Sequence, residues 1–304
     1  MTKATAAIPE PSIDVKASAS AKGASAKKQK RMAMRPPEID FVTINLHRIR
    51  TALWPAPGSD KPPLLFFNGI GGNLEMAQPM ADHLMGDRPL IAFDIPGTGE
   101  SAEPRFPYRP WWIARVAKAL IRYWGFDGQV DVFGVSWGGG AAQQFAIQYR
   151  QTTRRLVLAA TSAGVVMVPG NVTAMRKMAD NRRYVDPNFL LANYEAMYGD
   201  KDPTVMKDHA LRIIPPTKRG YMFQLAAMAG WTSAPFLPFL GTDTLVMAGD
   251  SDRIVPLANG KILASLIPNA ELDIIEGGGH LFMLSEADYV INRLNTFLDR
   301  PTAN

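Results

Sequence analysis

The alternation of apolar and polar positions sets out the architecture. Val42, Ile44 and Leu46 alternate with Thr43 and Asn45, the pattern of a half-buried strand, and Arg48 to Trp54 fits its hairpin partner. The later runs Leu64–Phe67, Leu90–Phe93, Val130–Phe133, Leu156–Ala159, Leu245–Ala248 and Leu272–Ile275 are short and almost continuously apolar. Such runs belong to central strands of a parallel sheet covered on both faces. Helical patterns lie around them, over Leu74–Leu84, Trp111–Trp124, Gly138–Tyr149, Leu257–Leu266 and Glu286–Leu298. The alternation predicts a doubly wound, mostly parallel α/β sheet with an antiparallel start.

Residues 165–240 break this rhythm. They contain no convincing strand and read as short helices interrupted by Pro169, Pro187, Pro203, Pro215-Pro216 and Pro235. We read them as a helical cap inserted after a core strand, between a first core part (38–164) and a second (241–304). Residues 1–37 read as a disordered basic tail. Their Ala, Ser and Lys content offers too little apolar surface to offset the entropy of ordering.

Composition adds limits. The chain has 304 residues, 47% of them hydrophobic, enough for one sizeable core with an insertion. With no cysteine, there is no disulfide, thiolate ligand or cysteine nucleophile. No apolar run reaches membrane-spanning length and no secretory signal is evident, so a cytoplasmic location is expected. The formal net charge of +5 is concentrated at the start, where residues 1–35 carry eight Lys/Arg against Glu10 and Asp14. Specific nucleic-acid recognition is not expected. The tail is either a tether to anionic surfaces or a solvated extension.

The chemistry centres on Val130-Asp-Val-Phe-Gly134-Val-Ser136-Trp-Gly138. An apolar strand runs into Gly-x-Ser-x-Gly and then a helix, the context in which a strained turn projects a serine hydroxyl at the sheet's carboxyl edge. An acid and a histidine follow in the required order. Thr244–Ala248 empties into Gly249-Asp250-Ser-Asp252, where two aspartates compete. Asp252 lies deeper in the loop and is preferred, leaving Asp250 to brace the turn. Ile275 leads into Glu-Gly-Gly-Gly-His280. Ser136, Asp252 and His280 are thus the candidate nucleophile, acid and base, each beyond the carboxyl end of a strand, where open α/β sheets place ligands. Of the other histidines, His47 and His83 are expected at the surface. His209 is expected exposed in the cap, with substrate contact as the alternative.

A nucleophile of this kind needs two backbone N–H groups facing the developing oxyanion. Trp137 supplies one, and Ile70, in Phe67-Asn68-Gly69-Ile70-Gly71-Gly72, is the candidate for the other. Asn68, Met167, Trp231 and Phe282 are the candidate substrate contacts. Met side chains, Trp231, Phe236 and Phe239 offer the cap an adaptable apolar surface, unless they chiefly form its own core. Asp94-Ile-Pro-Gly97-Thr-Gly99 shapes a loop, and its spacing is not that of a dinucleotide fingerprint. No metal-ligand spacing occurs, and neither a metal nor a cofactor is expected.

Several segments resemble bacterial intracellular polyhydroxyalkanoate depolymerases of the medium-chain-length type, which have the α/β-hydrolase fold. They include Phe67-Asn-Gly-Ile-Gly-Gly-Asn-Leu-Glu75, Gly134-Val-Ser-Trp-Gly-Gly139, Val166-Met-Val-Pro-Gly170, Arg182-Arg-Tyr-Val185, Gly230-Trp-Thr-Ser233 and Gly279-His-Leu-Phe282. The similarity covers about residues 60–300. It implies hydrolysis of ester bonds in stored poly(3-hydroxyalkanoate), with a granule surface or hydrophobic ester as partner and Ser136, Asp252 and His280 as triad. Two alternatives stay open: a small-molecule carboxylesterase or other hydrolase of this fold, and a granule-associated scaffold, against which the intact triad argues. Related synthases carry cysteine at the nucleophile position, which this chain lacks. The basic tail departs from the resemblance and is not explained by it.

Overall fold

The computed structural model describes residues 36–301 apart from Met85, Asn181 and Lys201. The basic segment 1–35 lies outside the described residues. Eight strands form one sheet: β1 (Glu38–Ile44), β2 (His47–Trp54), β3 (Leu64–Phe67), β4 (Leu90–Phe93), β5 (Val130–Val135), β6 (Thr153–Ala159), β7 (Asp243–Gly249) and β8 (Ala270–Ile275). Their order is β1-β2-β4-β3-β5-β6-β7-β8. The hairpin β1–β2 and the pair β2–β4 are antiparallel, and every later pair is parallel. The expected antiparallel start and parallel body are both present.

The continuous apolar runs follow from burial on two faces. In β3, Leu65 and Phe67 pack with Ile113, Leu120, Phe145 and Leu263 on one side. Leu64 and Phe66 pack with Met80, Leu84, Leu294 and Phe297 on the other. Successive side chains of a strand point to opposite faces, so a strand covered twice has no polar phase. The covering helices are α1 (Gln78–Leu84), α2 (Pro110–Tyr123), α3 (Trp137–Gln148) and, after the helical insertion, α9 (Leu257–Leu266), α10 (Phe282–Ser285) and α11 (Ala287–Leu298). The single helices expected over 74–84 and 286–298 start differently. A 3-10 turn at Leu74–Ala77 precedes α1, and the separate turn α10 precedes α11.

Between β6 and β7 lie α4 (Val172–Ala179), α5 (Arg182–Val185), α6 (Pro187–Tyr198), α7 (Pro203–Arg212) and α8 (Lys218–Met228). Prolines punctuate this stretch as starters: Pro187 and Pro203 are first helical residues behind Asp186 and Asp202, whose carboxylates accept the exposed N–H groups of the first turn. Leu190, Tyr194, Met197 and Tyr198 form a small core with Ile254 and Val255 from the loop after β7. Among the described residues, no helix is long and apolar enough to cross a membrane.

The sheet body is locked by a buried ionic cluster below β5. Asp131, fully buried, accepts from Arg88 Nη1 at 3.0 Å and from Arg154 Nε and Nη2 at 2.8 and 2.6 Å. Two guanidinium groups compensate one carboxylate that could not stay charged there alone. The cluster fixes the start of the strand that delivers Ser136.

Candidate active site

Strand β5 ends at Val135 and α3 begins at Trp137, which leaves Ser136 to make the whole reversal. Its backbone has φ 53° and ψ −120°, a conformation L-residues avoid. The flanking glycines are steric necessities. A Cβ on Gly134 would sit 2.5 Å from Ala142 Cβ and from the Gly138 carbonyl, and one on Gly138 would overlap the Phe67 and Asn68 carbonyl oxygens. The turn is held by Ser136 N–H donating to Ala159 O at 2.9 Å and by Thr161 Oγ1 donating to Ser136 O at 2.7 Å.

His280 follows β8 and reaches the serine from the opposite side. Its Nε2 lies 3.0 Å from Ser136 Oγ, and its Nδ1 lies 2.7 Å from Asp252 Oδ2. An ionised carboxylate only accepts, so Nδ1 carries the hydrogen and Nε2 is left bare to take the serine proton. Asp252 is itself fixed, because its Oδ1 accepts from the N–H groups of Ile254 and Val255 at 2.8 and 2.9 Å. Both His280 and Asp252 are buried. Asp250 is exposed and accepts from Gly277 N–H at 2.8 Å, tying the β7 and β8 loops together. It braces the turn, and Asp252 is the aspartate that meets the imidazole.

Trp137 follows Ser136 directly and Ile70 lines the same cavity as Ser136, and the N–H groups of both make no hydrogen bond to a described residue. Neighbouring groups of both residues are held. Tyr184 Oη donates to Ile70 O at 3.0 Å, Gly71 N–H donates to Gln224 Oε1 at 2.7 Å, and Trp137 Nε1 donates to Gln224 O at 2.8 Å. Trp137 opens α3, so its free N–H also sits at the positive end of that helix. A hydroxyl that can pass its proton to a buried imidazole beside two unsatisfied N–H groups is equipped for addition to a carbonyl.

Two cavities open on Ser136. The first is lined by Asn68, Ile70, Arg183, Tyr184, His209 and His280 among others. The second has apolar walls that include Met167, Met175, Leu225, Met228 and Trp231. Of the candidate substrate contacts, Met167 and Trp231 line this second cavity. Asn68 lines the first cavity, and its Nδ2 also donates to Asn73 O at 2.9 Å, which shapes the oxyanion loop. Phe282 does not reach either cavity. Helix α10 begins there and turns the ring into the core under the sheet, fully buried, while Leu281, Met283 and Leu284 line the first cavity. Phe236 and Phe239 are exposed.

His209, expected exposed, is buried against Tyr194 and Tyr198. Burial, with Arg183 nearby, depresses its pKa to about 4, so it is neutral at neutral pH. Arg183 and Tyr184 stand in a segment already singled out as Arg182-Arg-Tyr-Val185, yet nothing local marked them as site residues. Gln224 carried no signal at all, since its role depends on where α8 packs.

Comparison with known proteins gives the family. The family model of the α/β-hydrolase fold matches residues 62–287. The poly(3-hydroxyalkanoate) depolymerase of Ectopseudomonas oleovorans is 44% identical over 268 residues, covering 86% of this chain and 93% of that protein. The chain belongs to the α/β-hydrolase family, alongside the poly(3-hydroxyalkanoate) depolymerases. It is a hydrolase. The 3-oxoadipate enol-lactonase 2 of Acinetobacter baylyi is more distant, 24% identical over 72% of this chain and 82% of that one. Among solved structures, an esterase from Exiguobacterium antarcticum superposes with a TM-score of 0.73 at 21% identity, over 86% of this chain and 99% of that one. The enol-lactonase from Burkholderia xenovorans gives 0.72 at 20%, over 86% of this chain and all of the other. At that identity both show the shared fold alone.

Proposed function

We propose that this protein hydrolyses the ester bonds of poly(3-hydroxyalkanoate), releasing 3-hydroxy acids or short oligomers through an acyl-enzyme on Ser136. The observation that carries the reading is the Ser136–His280–Asp252 line, opening on an apolar-walled cavity in a chain 44% identical to a depolymerase of that polymer.

His280 Nε2 takes the Ser136 proton as Oγ attacks the ester carbonyl. Asp252 keeps the imidazole in the required tautomer and stabilises its charged form. The N–H groups of Ile70 and Trp137 hold the tetrahedral oxygen. The alcohol half of the ester leaves with the proton from His280. Water, deprotonated by the same nitrogen, then cleaves the acyl-enzyme. Helices α4–α8 act as a lid over Ser136. Their exposed apolar side chains Val172, Met175, Met222 and Leu225 suit contact with a water-insoluble polyester at a storage granule in the cytoplasm. The basic tail is a second, electrostatic route to a granule's anionic coat.

A substrate panel tests this reading against its neighbours in the fold. We expect turnover of 3-hydroxydecanoate oligomers. Turnover of an enol-lactone or a small p-nitrophenyl ester with no action on those oligomers would move the assignment to a small-molecule hydrolase.

A further inference from the structure

Arg183 presents an unusual electrostatic situation. It is 5% exposed, and no carboxylate pairs with it among the described residues. Its guanidinium lies 3.9 Å from the centre of the Tyr184 ring, and Nη2 donates to Tyr184 Oη and, at 3.5 Å, to Tyr221 Oη. Its Nε is sealed from solvent without any partner. A buried cation left with phenols for company is costly, because neutral dipoles replace only part of its hydration.

Arg183 is among the residues lining the cavity that holds Ser136 and His280. No aspartate or glutamate lines that cavity, so an entering anion meets no repulsion there. Three acids near this end of the site are engaged with other partners, Asp252 with His280 and the N–H groups of Ile254 and Val255. Asp208 forms a two-pronged pair with Arg212, and Asp200 accepts from Leu281 N–H and Ser285 Oγ. With His209 neutral, Arg183 is the cavity's one permanent charge among the described residues.

We propose that Arg183 binds the free carboxylate at the end of a hydroxyacyl chain, so that the enzyme cleaves from the carboxyl terminus. The proposal rests on the polyester reading above and deepens it. A poly(3-hydroxyalkanoate) chain carries one carboxylate, on its last unit, and only two carbons separate that group from the oxygen of the last ester bond. Ser136 and Arg183 line the same cavity, so the last ester and the terminal carboxylate would enter it together. Ser136 Oγ bonds to the carbonyl carbon of the last ester, and the C–O bond breaks. The terminal unit leaves as a 3-hydroxy acid, its alkoxide oxygen taking the proton from His280 and its carboxylate held by Arg183. One water then releases the rest of the chain from Ser136. The acid it forms is the new chain end, so each cycle regenerates the group that Arg183 reads. The apolar second cavity takes the alkyl side chain of the acyl half.

A purely structural role for Arg183, tying α5 to the oxyanion loop through Tyr184, would affect all substrates alike. The two roles separate on a pair of probes: the 3-hydroxyoctanoate dimer as free acid and the same dimer capped as its primary amide. Each has a single ester. We expect the unmodified protein to prefer the free acid in kcat/KM by at least about tenfold, the scale of one charge-assisted hydrogen-bonded pair. Arg183→Gln should bring the ratio close to one, and Arg183→Lys should restore part of it. A wild-type ratio near one overturns the proposal without recourse to any variant. Arg183→Gln lowering both substrates equally, with the ratio kept, also overturns it. Failure to cleave either dimer while polymer granules are still degraded would overturn this proposal and leave the polyester reading standing, whereas granules left intact while p-nitrophenyl esters are hydrolysed would overturn both.

Discussion

The backbone N–H of His280 donates to the carbonyl of Tyr198 at 2.6 Å, and the two rings lie nearly parallel, 6.4 Å apart. Tyr198 is the last residue of α6, in the helical insertion between β6 and β7. The base is therefore positioned by Asp252 on one side and by the insertion on the other. A shift of the insertion would move the imidazole.

Gly279 makes that contact possible. A Cβ there would lie 2.5 Å from Tyr198 O and 2.6 Å from Asp200 Oδ2. Gly279→Ala must push the His280 loop away from α6. A displacement on the 1 Å scale at a reacting group costs about 10²-fold. We predict a loss of that order in kcat, with far-ultraviolet circular dichroism unchanged. Wild-type kcat in this variant would show that the loop and α6 are not coupled.

The two aspartates after β7 should behave differently. Asp252→Asn removes the group that fixes the His280 tautomer, and kcat should fall by about 10⁴ with the fold retained. Asp250→Asn keeps an acceptor for Gly277 N–H on an exposed turn, so its cost in kcat should stay below about threefold. Steady-state kinetics on one soluble ester read both. Equal losses would mean that Asp252 acts only as a loop brace.

The oxyanion loop depends on Gly71. Its φ is +70°, and a Cβ there would overlap the Tyr184 hydroxyl. Gly71→Ala should swing the Ile70 N–H off its target and reduce kcat by about 10²–10³-fold, the cost of one lost oxyanion donor. KM should change much less, because the donor acts mainly in the transition state.

Stability should depend on pH through Asp94. This carboxyl accepts from Leu74 N–H and Glu100 N–H, but burial raises its pKa from 3.8 to about 6. Between those values the folded protein holds a proton that the unfolded chain has released, so raising the pH disfavours folding across that window. The penalty reaches at most about 3 kcal/mol and is constant above the folded pKa. Denaturant titrations from pH 4 to 7 should show wild type losing stability relative to Asp94→Asn as pH rises to about 6, then a constant difference. A flat difference throughout would contradict the assignment.

What could be read from the chain was what local geometry decides. Gly134-Val-Ser136-Trp-Gly138 encodes its own strained turn, and the apolar runs of β3 to β7 encode a sheet covered on both faces. Loop depth favours Asp252 over Asp250, and it is Asp252 that lies 2.7 Å from the imidazole Nδ1. What escaped was set by packing between distant segments. His209 reads as a surface histidine on a polar helix until α7 is laid against Tyr194 and Tyr198. Arg183 reads as one more cation until burial removes its water. Phe282 reads as a neighbour of His280, but helix α10 starts between them and sends its ring into the core.

Ester hydrolysis of stored polyester through Ser136 is tested by release of 3-hydroxy acids from amorphous medium-chain-length polymer granules by the wild-type protein and by Ser136→Ala. Steady release by the wild type is expected, with loss of at least about 10⁴-fold in the variant, as for removal of any such nucleophile. Release that persists in Ser136→Ala, or granules left intact by a wild-type protein active on soluble esters, would contradict it.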